Sequence, residues 1–359
     1  MSSLEKPLVS IVIPAFNAEA FIAGAIRSAL AQTILQVEVI VVDDGSSDST
    51  VSIVEREVER DQRVRLQRMQ RNSGVSAARN SGFAVARGKW IAVLDSDDLM
   101  APDRLERLVQ EGDRSNCDIV ADDLARFTSP NGPLAPVFSP KGDFTLDAED
   151  YLRRNMFFQS SLHYGLFKPL FRVEALRSAG ERYNERLPIA EDDDFYVRLL
   201  LKGLVFRCIA STSYFYRQHA NAVTQRISAE AVRLMTAASG ELVRDFSGHP
   251  LRALIDQRHQ AFARASYYLE MIEALKVKDL SQAARIAYHR PSSLPLLRTP
   301  ITKLLRKVGR RTGTPVEDAT LRPLLLQTLR SAGEPLPASA TARSPGSQAD
   351  PTTATLPHA

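Results

Sequence analysis

Only two cysteines, Cys117 and Cys208, occur in the 359 residues. Each stands alone within an apolar run, without the paired spacings that build a disulfide framework or a zinc–thiolate centre. A reducing compartment is therefore expected. Long hydrophobic runs are missing as well: none approaches the ~20 residues a spanning helix needs. The first strand candidate starts within ten residues of Met1, leaving no room for a signal peptide, so a cytoplasmic location is expected. Charge of one sign is not in excess either. The 46 basic and 42 acidic residues leave a formal charge of +4, too little to make nucleic acid the main partner. Two Gly-rich nucleotide signatures are also absent. No G-x-G-x-x-G follows the first strand candidate, and Gly88-Lys89-Trp90 lacks the Ser or Thr of a phosphate loop.

What is present is an ordinary globular composition, 44% hydrophobic and 25% charged, with room for one large core and an appendage, or two modest domains. Up to about residue 125, short β-branched runs alternate with helical patterns. Strand candidates are Val9–Pro14, Val37–Asp43, Val64–Met69, Trp90–Asp95 and Asp118–Ala121. Phe21, Ile22, Ala25, Ile26, Ala29 and Leu30 recur at helical spacing between the first two. Ser47 or Asp48 is placed to cap the next helix, and Pro102 suits the first turn of one at Asp103–Glu111. This alternation predicts a mainly parallel sheet with helices on both faces, and its strands are apolar from end to end as burial on both faces requires.

Residues 126–160 carry Pro130, Pro133, Pro136 and Pro140 and read as a surface loop. Periodicity resumes at Leu166–Ala175 and Asp193–Leu201, followed by strand candidates Val205–Ile209 and Ser213–Tyr216. From Ser228 to about His289 the pattern is helical, two to four helices. The segment from Ser331, rich in Pro, Ala, Ser and Thr, reads as a disordered tail.

In an open parallel sheet the ligand lies beyond the carboxyl ends of the strands. Those ends here are Pro14-Ala15-Phe16-Asn17, Asp43-Asp44-Gly45-Ser46 and Asp95-Ser96-Asp97-Asp98. Asp and Ser also serve as turn and cap residues. Three carboxylates within four residues, however, repel one another unless a cation compensates them, and hard oxygen ligands suit Mg²⁺ or Mn²⁺ completed by substrate phosphates. On an extended strand Asp95 and Asp97 point to one side and Asp98 to the other.

Taken with Val9-Ser10-Ile11-Val12-Ile13 before the first of these strand ends and Asn72-Ser73-Gly74-Val75-Ser76-Ala77-Ala78-Arg79-Asn80-Ser81-Gly82 between the second and third, the motifs resemble the family 2 inverting glycosyltransferases, in order and spacing over roughly residues 8–110. The resemblance implies a GT-A fold: a nucleotide-binding half and an acceptor-binding half around one continuous sheet. It implies that Pro14, Ala15 and Phe16 pack on the nucleoside and that Asp44 reads the uracil ring. Asn72 and Arg79 fall where base or diphosphate contacts are usual. Asp95 and Asp97 match the family's D-x-D pair around Ser96, with Asp97 the direct metal ligand and Asp95 on ribose or metal. Glu191-Asp192-Asp193-Asp194 reads on its own as an acidic helix start, with Asp194 spaced to pair with Arg198. It also resembles the family's Glu-Asp motif, in which Asp192 matches the catalytic base and Glu191 its neighbour, while Asp193 and Asp194 leave the register open by one. A histidine near His219 contacts metal or diphosphate in similar enzymes; a lone histidine is more often a structural residue. His163 lies in a polar-aromatic stretch on the presumed acceptor side.

Ile301, Leu304, Leu305 and Val308 form one apolar helical face, with Lys303, Arg306, Lys307, Arg310 and Arg311 around it. Such a segment either lies in an anionic membrane interface or packs on the core with a solvated basic face. The expected organisation is a GT-A domain over 1–225 (nucleotide half 1–125, acceptor half 126–225), a helical region over 226–330 and a tail over 331–359. Length and the helical C-terminal part most resemble bacterial exopolysaccharide enzymes of the succinoglycan type. The activity this implies is transfer of a sugar, glucose first, from UDP to a glycan or polyprenyl-diphosphate-linked acceptor at the inner face of the cytoplasmic membrane. The alternatives are a nucleotidyltransferase, which would carry a Gly- and Lys-rich loop where Pro14-Ala15-Phe16-Asn17 stands, and a non-catalytic nucleotide-sugar-binding subunit.

Overall fold

The computed structural model describes residues 6–156, 163–219, 228–298 and 320–336. Ten strands form one sheet in the order β3-β2-β1-β4-β9-β6-β10-β5, with β7 (Leu134–Pro136) on β6 and β8 (Phe144–Leu146) on β10. The N-terminal part of the sheet is β1 (Val9–Ala15), β2 (Val37–Asp43), β3 (Val64–Arg68) and β4 (Trp90–Val93), all parallel. Every residue of β1, β2 and β4 is buried, as helices on both faces require. They are α1 (Ile22–Leu30), α2 (Thr50–Arg60) and α3 (Val75–Val85). Register sets Ala15 beside Asp43 and Val12 beside Val93, so the carboxyl ends of β1, β2 and β4 share one rim.

Beyond β4 the sheet changes direction. β9 (Leu170–Arg172) runs antiparallel to both β4 and β6 (Ile119–Phe127), and β10 (Phe206–Arg217) runs parallel to β6. A two-residue strand, β5 (Leu99–Met100), pairs with β10 just after the Asp95–Asp98 turn. The two expected strands at Val205–Ile209 and Ser213–Tyr216 are a single twelve-residue strand whose register shifts near Thr212. Such irregularities bend a strand without ending it.

Several expectations are corrected. Residues 126–160 hold β7, β8 and α5 (Ala148–Arg154), the helix capped by Asp147, which accepts from Asp150 N at 2.7 Å. Pro136 is tolerated because β7 is an edge strand bonded only to β6. The Leu166–Ala175 periodicity is not one helix: Pro169 forces its neighbour extended, and β9 precedes α6 (Val173–Ala179). α2 starts at Thr50 with Ser49 at the cap position, while Asp48 accepts from Thr50 N at 2.9 Å. After Pro102 the helix is α4 (Arg104–Arg114).

The acidic segment opens α7 (Glu191–Leu201). The helical stretch resolves into α8 (Ala229–Asp245), α9 (Arg252–Lys276) and α10 (Leu280–His289). α8 and α9 join through Val232, Met235, Phe262 and Ala265. The supposed tail is folded at its start. α11 (Leu321–Ser331) buries Leu321, Leu325 and Leu329, and Ala332 after it is also buried. The 301–311 segment and residues 337–359 lie outside the described residues.

Candidate active site

At the rim, Asp44 N donates to Ala15 O at 2.8 Å, joining the ends of β1 and β2. The Asp44 carboxylate accepts from Ser73 N and Gly74 N, each at 2.8 Å, and burial raises its pKa despite those bonds. Gly45 makes this approach possible. It lies at φ +76°, and a Cβ there would stand 2.9 Å from Asn72 N. Asn72 is exposed at the surface of this loop. Pro14 and Ala15 are buried, but Phe16 is 47% exposed, an aromatic face open above the strand ends.

The Asp95–Asp98 turn closes with Asp98 N on Asp95 O at 3.1 Å, and its carboxylates part company. Asp98 is buried and accepts from Tyr214 OH at 2.8 Å and Arg217 N at 2.7 Å. Burial, then Asp97 and Asp95, push its pKa well up. Asp97 faces His219, with Nε2 2.8 Å from Oδ2, and Phe21 lies against the imidazole with ring centroids 4.9 Å apart. Asp95 does not join this pair. Its Oδ1 meets Arg79 Nη2 and its Oδ2 meets Lys168 Nζ, both at 2.9 Å. Ser96 is half-buried between them.

The same two cations continue to α7. Arg79 Nη1 reaches Asp192 Oδ1 at 2.9 Å and Glu191 Oε1 at 2.8 Å, and Lys168 Nζ reaches Asp192 Oδ2 at 2.9 Å. Burial disfavours the charge on both cations, yet Asp192 and Asp95 hold both well above their usual values. Burial likewise opposes the charge on Asp95, and Lys168 and Arg79 reverse this, keeping its carboxyl far below the normal range. Three carboxylates face two cations in this network. Glu191, with one ion pair, is the carboxyl whose pKa rises, first from burial and then from Asp192.

Geometry also separates the acidic run. Asp193 turns away toward α5 and α9: it accepts from Tyr151 OH at 2.9 Å and Asn155 Nδ2 at 3.0 Å at the end of α5, and pairs with Arg258 of α9. Asp194 pairs with Arg198 at 3.0 Å, the four-residue spacing expected of it. Glu191 and Asp192 alone of the four meet Arg79. His163 precedes the Tyr164–Leu166 turn, and burial lowers its pKa.

Asp97 and His219 suit a divalent ion. A carboxylate oxygen and an imidazole nitrogen at hydrogen-bond distance are both first-row metal ligands. Among the described residues no three His, Cys, Asp or Glu side chains gather into a cage. An ion here would draw the rest of its shell from phosphate and water, as Mg²⁺ does.

Lys168 was not anticipated, although Leu166-Phe167-Lys168-Pro169-Leu170-Phe171 carries its signal: a lysine inside an apolar run is buried, and a buried lysine needs a partner. Tyr183, whose ring lies 5.2 Å beneath the Arg79 guanidinium, and Arg217 had no such signal.

Residues 10–177 match the model of glycosyl transferase family 2. The succinoglycan biosynthesis protein ExoO of Rhizobium meliloti (strain 1021) is 34% identical over 311 residues, spanning 85% of this chain and 88% of ExoO. ExoU of the same organism is 30% identical over 297 residues, 80% of this chain and 85% of ExoU. Among solved structures, S. aureus TarS 1–349 in complex with UDP-GlcNAc superposes with a TM-score of 0.60 at 17% identity, over 91% of this chain and 92% of that one. The mannosyltransferase PcManGT of Pyrobaculum calidifontis, in complex with GDP-Man and Mn²⁺, gives 0.52 at 17% identity, over 91% and 87%. These two show a shared GT-A fold.

Proposed function

The chain belongs to glycosyl transferase family 2, and on that footing we propose that it moves glucose from UDP-glucose to a hydroxyl of a lipid-linked glycan during exopolysaccharide assembly, with inversion. The observation that carries this reading is the pairing of Asp95, at a strand end of the nucleotide half, with Asp192, at the start of α7, through Arg79 and Lys168. The proposed donor-side and acceptor-side carboxylates thereby meet at the same two cations.

In this reading the nucleoside packs against Pro14, Ala15 and Phe16, with Asp44 and Asn72 at the base and Asp95 and Ser96 at the ribose. Asp97 and His219 hold the divalent ion, Mg²⁺ or Mn²⁺, which when bound neutralises charge growing on the departing diphosphate. Asp192 takes the proton from the attacking hydroxyl. Arg79 and Lys168 keep Asp95 and Asp192 oriented, and Arg258 braces α7 from α9 by holding Asp193. Residues 1–225 carry the transfer chemistry, and 226–330 support the acceptor side.

The raised pKa of Glu191 favours a second assignment, in which it is the proton acceptor and Asp192 its anchor. A base must be deprotonated, so transfer then rises with pH through a value above the usual ~4.3 of glutamate. Glu191→Gln would remove that acid limb together with turnover. With Asp192 as base, Glu191→Gln keeps measurable transfer.

The names of the relatives, succinoglycan biosynthesis proteins, support the pathway, and the UDP-GlcNAc complex of TarS supports a UDP donor. Release of UDP from a panel of UDP- and GDP-sugars, with and without extracted carrier-lipid glycans, tests the proposal. Acceptor-stimulated release from UDP-glucose with a β-linked product is expected. Stimulated release from GDP-sugars alone, or an α-linked product, would overturn it.

A further inference from the structure

We propose that the segment formed by α11 and the turn after it is a strap that positions Asp97 and His219, with Glu334 holding Arg217 and Arg217 setting both ligands. The inference rests on the donor-site reading of those two residues.

Leu321, Leu325 and Leu329 recur every fourth residue and so share one face of α11. They bury against Leu99, Ala101, Ala125, Phe127 and Phe215, the strands that flank the Asp95–Asp98 turn. Burial of three leucines on one face seats the helix firmly. At its end, Gly333 (φ +66°) reverses the chain, and Glu334 N closes on Leu329 O at 2.9 Å. This delivers the Glu334 carboxylate onto α1 at Gly24, where a Cβ would collide with Oε1. Any larger residue at position 24 would close that notch.

Arg217 is the group that Glu334 meets. Its Nη2 lies 2.6 Å from Glu334 Oε1, and its Nε donates to the main-chain oxygen of Asp97 at 2.8 Å. Its own backbone N donates to Asp98 Oδ1 at 2.7 Å. The guanidinium sits between Phe21, 5.0 Å away, and Phe127, 4.6 Å away. Arg217 is also the last residue of β10, and Gln218 N is fixed to Phe127 O at 2.8 Å. His219 follows at once. One side chain thus grips the backbone of the first ligand and sits two residues before the second.

The carboxylate of Glu334 matters because Arg217, a cation on a residue only 8% exposed, needs a compensating charge. Without it, the anions closest at hand are the carboxylates of the Asp97–Asp98 turn, and a cation drawn onto Asp97 competes with the metal. Arg217 and Glu334 are positioning residues: they act through the Asp97 main chain and the strand end that leads into His219.

The test is calorimetric titration of Mn²⁺ into the UDP-saturated full chain, with thermal midpoints measured alongside. Loss of an outer-shell partner typically costs about 10–100-fold in metal affinity. Glu334→Gln should weaken Mn²⁺ by at least about tenfold on that scale. Arg322→Ala removes bonds from the strap to Pro130 O and Gly132 O, at 2.6 and 2.9 Å. It should lower the midpoint and leave Mn²⁺ affinity at the parent value. Parent-like Mn²⁺ affinity in Glu334→Gln would overturn the inference, as would equal weakening in Arg322→Ala, which would mark the strap as structural only. Asp97→Ala is titrated in parallel. If it alone loses metal-dependent UDP binding, the donor reading stands and the strap falls; if it keeps that binding, both fall.

Discussion

Asp95 and Asp192 share the same two cations: Arg79 meets Oδ1 of each and Lys168 meets Oδ2 of each, all at 2.9 Å. One carboxylate follows β4 and the other opens α7. On the roles proposed for these two residues, the bridge fixes the distance between donor and acceptor chemistry before any substrate arrives. Such preorganisation is what makes electrostatic stabilisation effective at the moment of reaction.

Lys168→Met should be costly. It removes the partner of two buried oxygens at once, and breaking a buried ion pair from one side typically costs about 3–5 kcal/mol. Urea unfolding measures this, and transfer should fall with it because Asp192 loses its Lys168 partner. A variant unfolding at the parent's midpoint would refute the bridge.

Gly45→Ala should weaken UDP binding as well as stability. Its left-handed φ costs a side-chain-bearing residue roughly 1–2 kcal/mol, and the new Cβ displaces the Asn72 backbone that stands 2.9 Å away. Titration of UDP reads the second effect. Unchanged affinity would place Asn72 outside the nucleotide site.

The half of the fold before α4 was legible because β1, β2 and β4 are fully buried, so they are written as mainly apolar runs, interrupted by Ser10 and Glu38, between turn residues. The half from α4 onward was harder. β9 is three residues long and follows a proline, and its pairing with β4 and β6 is decided by partners far away in sequence. The candidate site divides in the same way. Asp97, His219 and Asp192 could be named from local strings, and so could Glu191. What those strings do not contain is the pairing: that Asp95 turns to Lys168 rather than to the Asp97–His219 pair, and that Asp193 is claimed by Arg258, follow only from packing. Leu321, Leu325 and Leu329 carried a visible helical spacing, but nothing local says which surface that face covers.

The stability of the nucleotide half should depend on pH through Glu38. Burial pushes this carboxyl up, but hydrogen bonds from Ser10, the Arg87 main chain and side chain, and Arg65 bring it below its usual value. A depressed carboxyl contributes stability that is present above the unfolded pKa of ~4.3 and is lost as pH falls through the folded value. Glu38→Gln should cost about 1–3 kcal/mol at neutral pH. The gap in thermal midpoint between parent and variant should then close as pH drops below 4.3 or so. A gap constant from pH 7 to pH 3 would remove Glu38 from the account.

If the acceptor hangs from a carrier lipid, the enzyme must dwell at a membrane surface, although no described helix is long and apolar enough to cross one. Each basic side chain near an anionic surface is worth on the order of 1 kcal/mol. Replacing Lys303, Arg306, Lys307, Arg310 and Arg311 together with Gln should release the protein from anionic vesicles and leave UDP binding intact. Co-sedimentation equal to that of the parent would assign the anchor elsewhere.

Asp192, on the proposed reading, performs the proton transfer. Asp192→Asn keeps the shape of the side chain and loses the base, and a positioned general base is worth about 10²–10⁴-fold in rate. Transfer and UDP affinity measured on the same preparation of this variant decide the matter. The account predicts turnover reduced by at least about a hundredfold with UDP bound at the parent's affinity. Near-parental turnover would contradict it.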